Sequence, residues 1–114
     1  MCGPVGSPAR VRVERVQMKE GVKYDGGKIR WSLLPLGAVR EVVEVLEYGA
    51  HKYAPDNWRK VPDKEARYWD AAMRHIVEWK IGSSIDEETK RSHLAHAACC
   101  LLYLLAFEQE ARHE

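Results

Sequence analysis

Two carboxylates spaced three residues apart are the first feature of this sequence that suggests chemistry. Glu41 and Glu44 lie in a segment with a helical apolar pattern, so their side chains are expected to lie side by side on one helix surface. Carboxylate oxygens are the ligands that hard divalent cations such as Mg²⁺ and Mn²⁺ take. The same spacing is common on solvated helix faces, so the pair alone leaves both a metal site and a plain charged surface open.

A second pair, His93 and His96, has the same spacing in a later apolar segment. Two imidazoles on one helix face can chelate a metal, and histidine is a common ligand of transition metals. The alternative is a pair of histidines at the edge of the core, each hydrogen-bonded to a protein group. Cys100, one turn beyond His96, is expected to pack as a small hydrophobe rather than to ligate.

A third group combines aromatic, amide and cationic side chains between two predicted helices. It comprises Lys52, Tyr53, Asn57, Trp58 and Arg59. An aromatic face suits a base, an amide can read the edge of that base, and cations suit phosphates. The alternative is a helix-ending turn in which Trp58 fills the core. His75, on an apolar stripe, is expected to be a hydrogen-bonded core histidine, and Asp86 is expected to cap a helix.

The segment Gly26-Gly27-Lys28 resembles a phosphate loop only in part. The full pattern requires Gly at position 22 and Ser or Thr at position 29, where Val22 and Ile29 stand. A glycine pair flanked by Lys28 and Arg30 can still surround an anion with backbone N–H groups. A tight turn with solvated cations explains the same residues equally simply.

Three helices must position these groups, and no strand pattern competes with them, so the predicted fold class is all-α. The first runs from near Pro35 to about Tyr53, with Val39, Val42, Val43 and Leu46 on its apolar face. The second runs from about Asp63 to Ile81, between a plausible N-cap and Gly82. The third follows the Gly82-Ser83-Ser84 loop, is capped by Asp86 or Ser92, and reaches Phe107. Among the aromatic rings, Trp69, Trp79 and Tyr103 are predicted to lie in the core.

The third helix is apolar on all sides, which is typical of a helix at the centre of a bundle or in a subunit interface. A short chain with only three helices has difficulty covering such a helix alone. We therefore predict a three-helix bundle completed by homo-oligomerisation, as a homodimer or homotetramer. The same feature supports an alternative function, a non-enzymatic helical module that dimerises or binds a partner.

Composition restricts the class of protein further. The chain has 114 residues, 46% of them hydrophobic, with a formal charge of +1 from 18 basic and 17 acidic side chains. This balance gives no support to binding of a nucleic-acid polymer or to a polybasic membrane anchor. Residues 1–22 are predicted to be a flexible tail and residues 23–112 the domain. Without a signal-peptide pattern or a disulfide framework, a cytoplasmic location is expected.

Several blocks in order carry a resemblance to a known family. They are Lys-Tyr-Asp-Gly-Gly-Lys-Ile-Arg (23–30), Leu-Leu-Pro (33–35), Glu-Tyr-Gly-Ala-His-Lys-Tyr-Ala-Pro-Asp-Asn-Trp (47–58), Arg-His (74–75) and Ser-His-Leu-Ala-His-Ala (92–97). Together they resemble the phage dATP/dGTP diphosphohydrolases of the MazZ type, a family similar to the all-α MazG-like nucleotide pyrophosphatases. The resemblance covers residues 23 to 107.

The resemblance implies metal-dependent hydrolysis of a purine deoxynucleoside triphosphate to the monophosphate and pyrophosphate, with Mg²⁺ or Mn²⁺. It implies that Glu41 and Glu44 are catalytic and, with His93 and His96, hold the metal. Nucleotide contacts then fall to Lys28, Arg30, Lys52, Tyr53, Asn57, Trp58 and His75. The superfamily's E-E-x-x-E motif appears here as Arg40-Glu41-x-x-Glu44, and its E-x-x-D motif as His93-x-x-His96. Two imidazoles in place of carboxylates shift the expected preference towards Mn²⁺ or another transition metal.

Overall fold

A computed structural model describes residues 20–113 of the chain and confirms the all-α fold class. Three helices dominate: α1 (Leu36–Lys52), α2 (Lys64–Ile81) and α3 (His93–Arg112). Short 3₁₀ helices occupy Trp31–Leu33 and Asn57–Lys60. Within the described range, the β-type pairing is a single isolated bridge between Ile85 and Ser92. No helix in this part of the chain has the length and apolar character needed to span a membrane.

Residues before Ser32 form a unit separate from the helical unit. Its described part contains a turn in which the Lys28 N–H donates to the Asp25 carbonyl at 3.1 Å. Gly27 has φ of 85°, a left-handed conformation that a glycine adopts without steric cost. The glycine pair is therefore a tight turn, as the simpler interpretation predicted. The predicted tail, residues 1–22, lies almost wholly outside the described residues.

Helix α1 begins directly after Pro35, which occupies the N-cap position, one residue ahead of the first turn in which its residue type placed it. Its buried residue is Val45, which forms a core cluster with Ala95 and Cys99 of α3. Val42 and Leu46 pack against that cluster, whereas Val43 is exposed. The predicted apolar face was therefore wrong in part: α1 meets a single neighbour, α3, and the row that faces it runs through Val42, Val45 and Leu46.

Helix α2 packs against α3 along the face that carries Tyr68, Ala72 and His75. Ala72 is almost fully buried there, and Tyr68 lies edge-on to Tyr103 with ring centroids 4.9 Å apart. Tyr103 is thus a core ring, as predicted. Trp69 and Trp79 were predicted to be core as well, and this is wrong for the single chain, where they are 56% and 41% exposed. The single chain leaves both rings partly uncovered, because the main contacts of α2 are with α3, on one face of the helix.

Helix α3 begins directly after Ser92, whose hydroxyl accepts a hydrogen bond from the Leu94 N–H at 3.0 Å. Of the two predicted caps, Ser92 is therefore the one used. Asp86 instead closes the preceding turn, where its carbonyl accepts from the Lys90 N–H at 2.8 Å. Buried residues lie on α3 from His93 to Phe107, but Leu94, Leu101, Leu102 and Leu105 remain exposed. An all-round apolar helix is thus covered on only part of its circumference.

Candidate functional site

A cavity of about 880 Å³ lies in the helical unit, bordered by the end of α1, the connection that follows it, and facing residues of α2 and α3. Five residues predicted to bind nucleotide line it: Lys52, Tyr53, Asn57, Trp58 and His75. His96 and Asp86 line it as well. The volume lies at the upper end of the range of small-molecule sites, so the cavity has room for a nucleotide.

Lys52 is one of three cationic side chains that line this cavity, with Arg59 and Arg74, and it is already paired. Its ammonium lies 2.8 Å from the Glu88 carboxylate, which also accepts a hydrogen bond from the Tyr48 hydroxyl at 2.6 Å. These two hydrogen bonds lower the pKa of Glu88, while the Glu88 hydrogen bond raises the pKa of Lys52. Glu88 is a cavity residue that sequence reasoning missed, because it follows from the fold of the 82–92 connection and not from any motif.

Trp58 belongs to an aromatic cluster rather than standing free in the cavity. Its ring stacks on Tyr103 at 4.4 Å between centroids with an angle of 11°, and Phe107 lies 5.5 Å away. The Arg59 guanidinium lies 4.2 Å from the same ring. Tyr53 differs, since it is 63% exposed and has only the Lys52 ammonium near its ring, at 5.4 Å. Of the two aromatic side chains predicted to stack on a base, Tyr53 therefore has the more accessible ring.

Three side chains from three successive elements converge at one end of the cavity. His75 of α2, Asp86 of the connection and His93 of α3 place ligand-type atoms within 4.8 Å of one another. The Nδ1 atoms of His75 and His93 are 2.8 Å apart. Burial, with His96 and His93 as neighbours, lowers the pKa of His75 to about 4, so its imidazole is neutral at pH 7. Two imidazole nitrogens and a carboxylate oxygen form a donor set that suits a divalent cation.

His96 stands next to this group, and its predicted role as a metal ligand stays a prediction. Its ring stacks on that of His75 at 4.5 Å, and its Nε2 lies 2.7 Å from the Thr89 hydroxyl. Thr89 in turn donates to the Asp86 carboxylate from its N–H at 2.8 Å and its hydroxyl at 3.0 Å. The ring nitrogens of His93 and His96 therefore contact different partners. In the described structure His93 Nδ1 lies next to His75, and His96 Nε2 lies next to Thr89 of the connection.

Glu41 and Glu44 lie on α1 where it meets the start of α3, outside the lining of the cavity. The Glu41 carboxylate accepts a hydrogen bond from the Ser92 N–H at 2.7 Å. Glu44 pairs with Arg91 at 2.7 Å and with Arg40 at 3.3 Å, and these hydrogen bonds lower its pKa, Arg91 most strongly. Among the described residues, the structure does not bring either carboxylate into a group with His93 and His96, so their metal role stays a prediction.

The remaining predicted residues fall into two classes. Lys28 and Arg30 are exposed and belong to the unit that precedes Ser32, which is described by itself. Cys100 is buried, as is Cys99, whose thiol donates to the Val42 carbonyl at 3.4 Å. Burial raises the pKa of Cys99 to about 12 and that of Cys100 to about 11. Both thiols therefore pack as small apolar groups, as predicted for Cys100.

Asp86, Thr89, Glu88 and Tyr48 are among the cavity residues that the sequence did not single out. Asp86 was interpreted as a cap, because an Asp ahead of a helical pattern is usually one. One signal pointed the other way: Asp86 stands in the short connection between two histidine-bearing helices, which must bring its ends close together. A carboxylate in such a connection is a candidate third ligand.

Comparison with known proteins identifies the family of the chain. The sequence model described as dATP/dGTP diphosphohydrolase, N-terminal, matches residues 18–114. A dATP/dGTP diphosphohydrolase of Salmonella phage PMBT28 is 38% identical over 84 residues, which are 74% of this chain and 28% of that protein. The chain thus spans little more than a quarter of its relative's length. No solved structure matches. The extent of the family match shows that this chain belongs to the dATP/dGTP diphosphohydrolase N-terminal family.

Proposed function

We propose that this chain hydrolyses purine deoxynucleoside triphosphates, dATP or dGTP, to the monophosphate and pyrophosphate with the help of a divalent metal ion. The observation that carries the proposal is the cavity, which gathers Lys52, Tyr53, Asn57 and His75 around one space of nucleotide size. The family relationship supports the substrate class, since the phage relative is named for dATP and dGTP. The two observations are independent, because the cavity is a property of the structure and the family relationship rests on sequence similarity.

The reaction needs a water oxygen to bond to the α-phosphorus while the α–β bridging P–O bond breaks and pyrophosphate leaves. Lys52 would neutralise phosphate charge, once the phosphate displaces Glu88 from the ammonium. The exposed ring of Tyr53 would stack on the purine, and Asn57 would hydrogen-bond to its edge. Trp58 would support this wall from within the aromatic cluster.

A bound divalent ion would supply charge neutralisation on the phosphates and a water of lowered pKa. Glu41, Glu44, His93 and His96 are the ligands that we propose from the family motif. The carboxylates of α1 suit Mg²⁺ or Mn²⁺ by their chemistry. Glu44 would have to leave Arg91 to ligate, because Arg91 holds its Oε1 at 2.7 Å.

Homo-oligomerisation is the second part of the proposal. Exposed leucines at positions 94, 101 and 105 of α3 and an exposed Trp69 of α2 leave apolar area uncovered in the single chain. Burial of this area against a second copy would stabilise the assembly by about 25 cal/mol per Å² of apolar surface. The non-enzymatic alternative shares this feature, but it gives no reason for a cavity that gathers a cation, an amide and histidines.

Turnover of purified protein separates the two candidate functions. The chain is incubated with each common deoxynucleoside triphosphate and Mg²⁺, then Mn²⁺, and pyrophosphate and monophosphate are quantified. We expect one of each product per dATP or dGTP consumed, and loss of most activity in Lys52→Ala. No turnover of any triphosphate with either metal would overturn the proposal and favour the binding module.

A further inference from the structure

We infer that His75, Asp86 and His93 form a binding site for one transition-metal ion, with a free coordination position that faces the cavity. The inference deepens the proposed function by giving the cavity a metal centre different from the carboxylates of α1. The three donors come from α2, from the connection and from the first residue of α3, so their meeting is a product of the fold and not of a local motif.

The distance between the two imidazole nitrogens of this group is that of neighbouring ligands. Metal–nitrogen bonds of about 2.0–2.1 Å place adjacent ligand atoms about 2.9 Å apart at a right angle and about 3.3 Å apart at a tetrahedral angle. The His75 and His93 Nδ1 atoms are 2.8 Å apart, so a shift of a few tenths of an ångström admits an ion between them. The carboxylate of Asp86 completes the triangle, with all ligand atoms within 4.8 Å.

Supporting hydrogen bonds already hold the carboxylate in place. Asp86 accepts two hydrogen bonds from Thr89, through the backbone N–H and the hydroxyl. His96 packs flat against the His75 ring and contacts the same Thr89 hydroxyl. Residues that orient the ligands in this way are a regular feature of metal sites. For an ion held by His75, Asp86 and His93, Thr89 and His96 are therefore positioning residues.

The direction of the site follows from burial. His93 is 8% exposed and closes the inner side, whereas His75 and Asp86 line the cavity together with Thr89 and His96. Three protein ligands with a remaining position open to a cavity are the arrangement of catalytic rather than structural zinc sites. That position would take water or a phosphate oxygen.

The donor set selects the metal. Two imidazoles and one carboxylate favour Zn²⁺, Co²⁺ or Ni²⁺, whereas Mg²⁺ prefers oxygen ligands. The carboxylates Glu41 and Glu44 lie elsewhere, at the contact of α1 with Ser92 and Arg91. Within the described residues, the site thus shares His93 with the predicted Mg²⁺ or Mn²⁺ ligands but contains neither carboxylate of α1.

Titration of the full-length protein with Co²⁺ alone, followed by visible absorption, tests this inference without nucleotide. We expect a saturable d–d spectrum at one Co²⁺ per chain, displaced by Zn²⁺ but not by a hundredfold excess of Mg²⁺. Absence of a saturable spectrum in the wild-type protein would overturn the site. This outcome is separable from failure of the proposed function, because no turnover is measured.

Variants assign the ligands. His75→Asn and Asp86→Asn should each weaken Co²⁺ binding at least tenfold, with circular dichroism confirming that the helices remain. His51→Asn is the matched control, since His51 is an exposed histidine on α1, and it should bind Co²⁺ as the wild type does. Loss of the spectrum in His51→Asn, or its retention in both other variants, would contradict the assignment.

Discussion

The Lys52 ammonium lies 2.8 Å from the Glu88 carboxylate at the wall of the cavity. The two residues come from α1 and from the connection between α2 and α3, so the pair spans two sides of the space that we assign to the nucleotide. A phosphate that enters must compete with Glu88 for the same ammonium. The affinity for nucleotide therefore depends on both residues, in opposite directions.

Replacing Lys52 by Ala should weaken nucleotide binding. A hydrogen bond to a charged group contributes about 1.5–3 kcal/mol, which corresponds to roughly a 10- to 100-fold rise in Kd. Isothermal titration with a non-hydrolysable dGTP analogue measures the change. Lys60→Ala is the control, because Lys60 is exposed and does not line the cavity. Equal losses in the two variants would mean that Lys52 has no particular role.

Replacing Glu88 by Gln should have the opposite effect. The amide keeps an acceptor for the Tyr48 hydroxyl but removes the charge that competes with phosphate for Lys52. Because exposed ion pairs are weak, we expect Kd for the nucleotide analogue to fall by no more than about fivefold. Binding that is weaker than in the wild type would show that Glu88 itself contacts the ligand.

Two substitutions of Glu41 separate a structural role from a catalytic one. Glu41→Ala removes the acceptor of the Ser92 N–H at the start of α3 and should destabilise the fold by about 1–3 kcal/mol. Glu41→Gln keeps an acceptor oxygen and should unfold within about 1 kcal/mol of the wild type. If Glu41 holds a metal, Glu41→Gln nevertheless loses most turnover. Urea unfolding and the pyrophosphate assay together decide, and full activity in Glu41→Gln would refute the metal role.

The buried thiols should resist alkylation in the folded protein. At pH 8, thiols with pKa values near 11 and 12 are thiolate in less than about one molecule in a thousand, and thiolate is the reactive form. In a Cys2→Ser variant, iodoacetamide should therefore modify neither Cys99 nor Cys100 within hours, and both rapidly in denaturant. Mass spectrometry counts the adducts. Fast modification of the native variant would show that the core around Val45 opens readily.

A charge on the exposed face of α3 should disrupt the proposed oligomer. Leu101 is 52% exposed and faces away from the α1 and α2 contacts, so Leu101→Glu should shift the mass in light scattering towards that of one chain. Gln109→Glu adds the same charge on an exposed polar position of α3 and should leave the mass unchanged. A wild-type protein that is monomeric at micromolar concentration would contradict the proposed homo-oligomer.

The helices could be predicted from sequence because local signals marked each of their ends. Asp63 and Ser92 stand at the N-caps of α2 and α3, and Gly82 ends α2, as their residue types indicate, while Pro35 marks the start of α1 to within one residue. Whether Trp69 is buried or exposed in the single chain could not be predicted in this way. An apolar stripe shows that a residue tends to be covered, but it does not show whether the same chain provides the cover.

The site was predictable in its aromatic and cationic part and less so around the histidines. Lys52, Tyr53 and Asn57 are close in sequence, so their meeting is a local property. The convergence of His75, Asp86 and His93 depends on how α2, the connection and α3 fold back on one another, and spacing along one helix cannot reveal it. The periodicity of α3 suggested His96 as the partner of His93, whereas the ring next to His93 Nδ1 is His75.

The central claim, that the cavity beside Lys52 binds a purine deoxynucleoside triphosphate, is tested most directly by a crystal structure with the α,β-imido analogue of dGTP. The account predicts the purine against the Tyr53 ring, the phosphates in contact with the Lys52 ammonium, and Glu88 released from that ammonium. Nucleotide bound outside this cavity, with the Lys52–Glu88 pair intact, would contradict it.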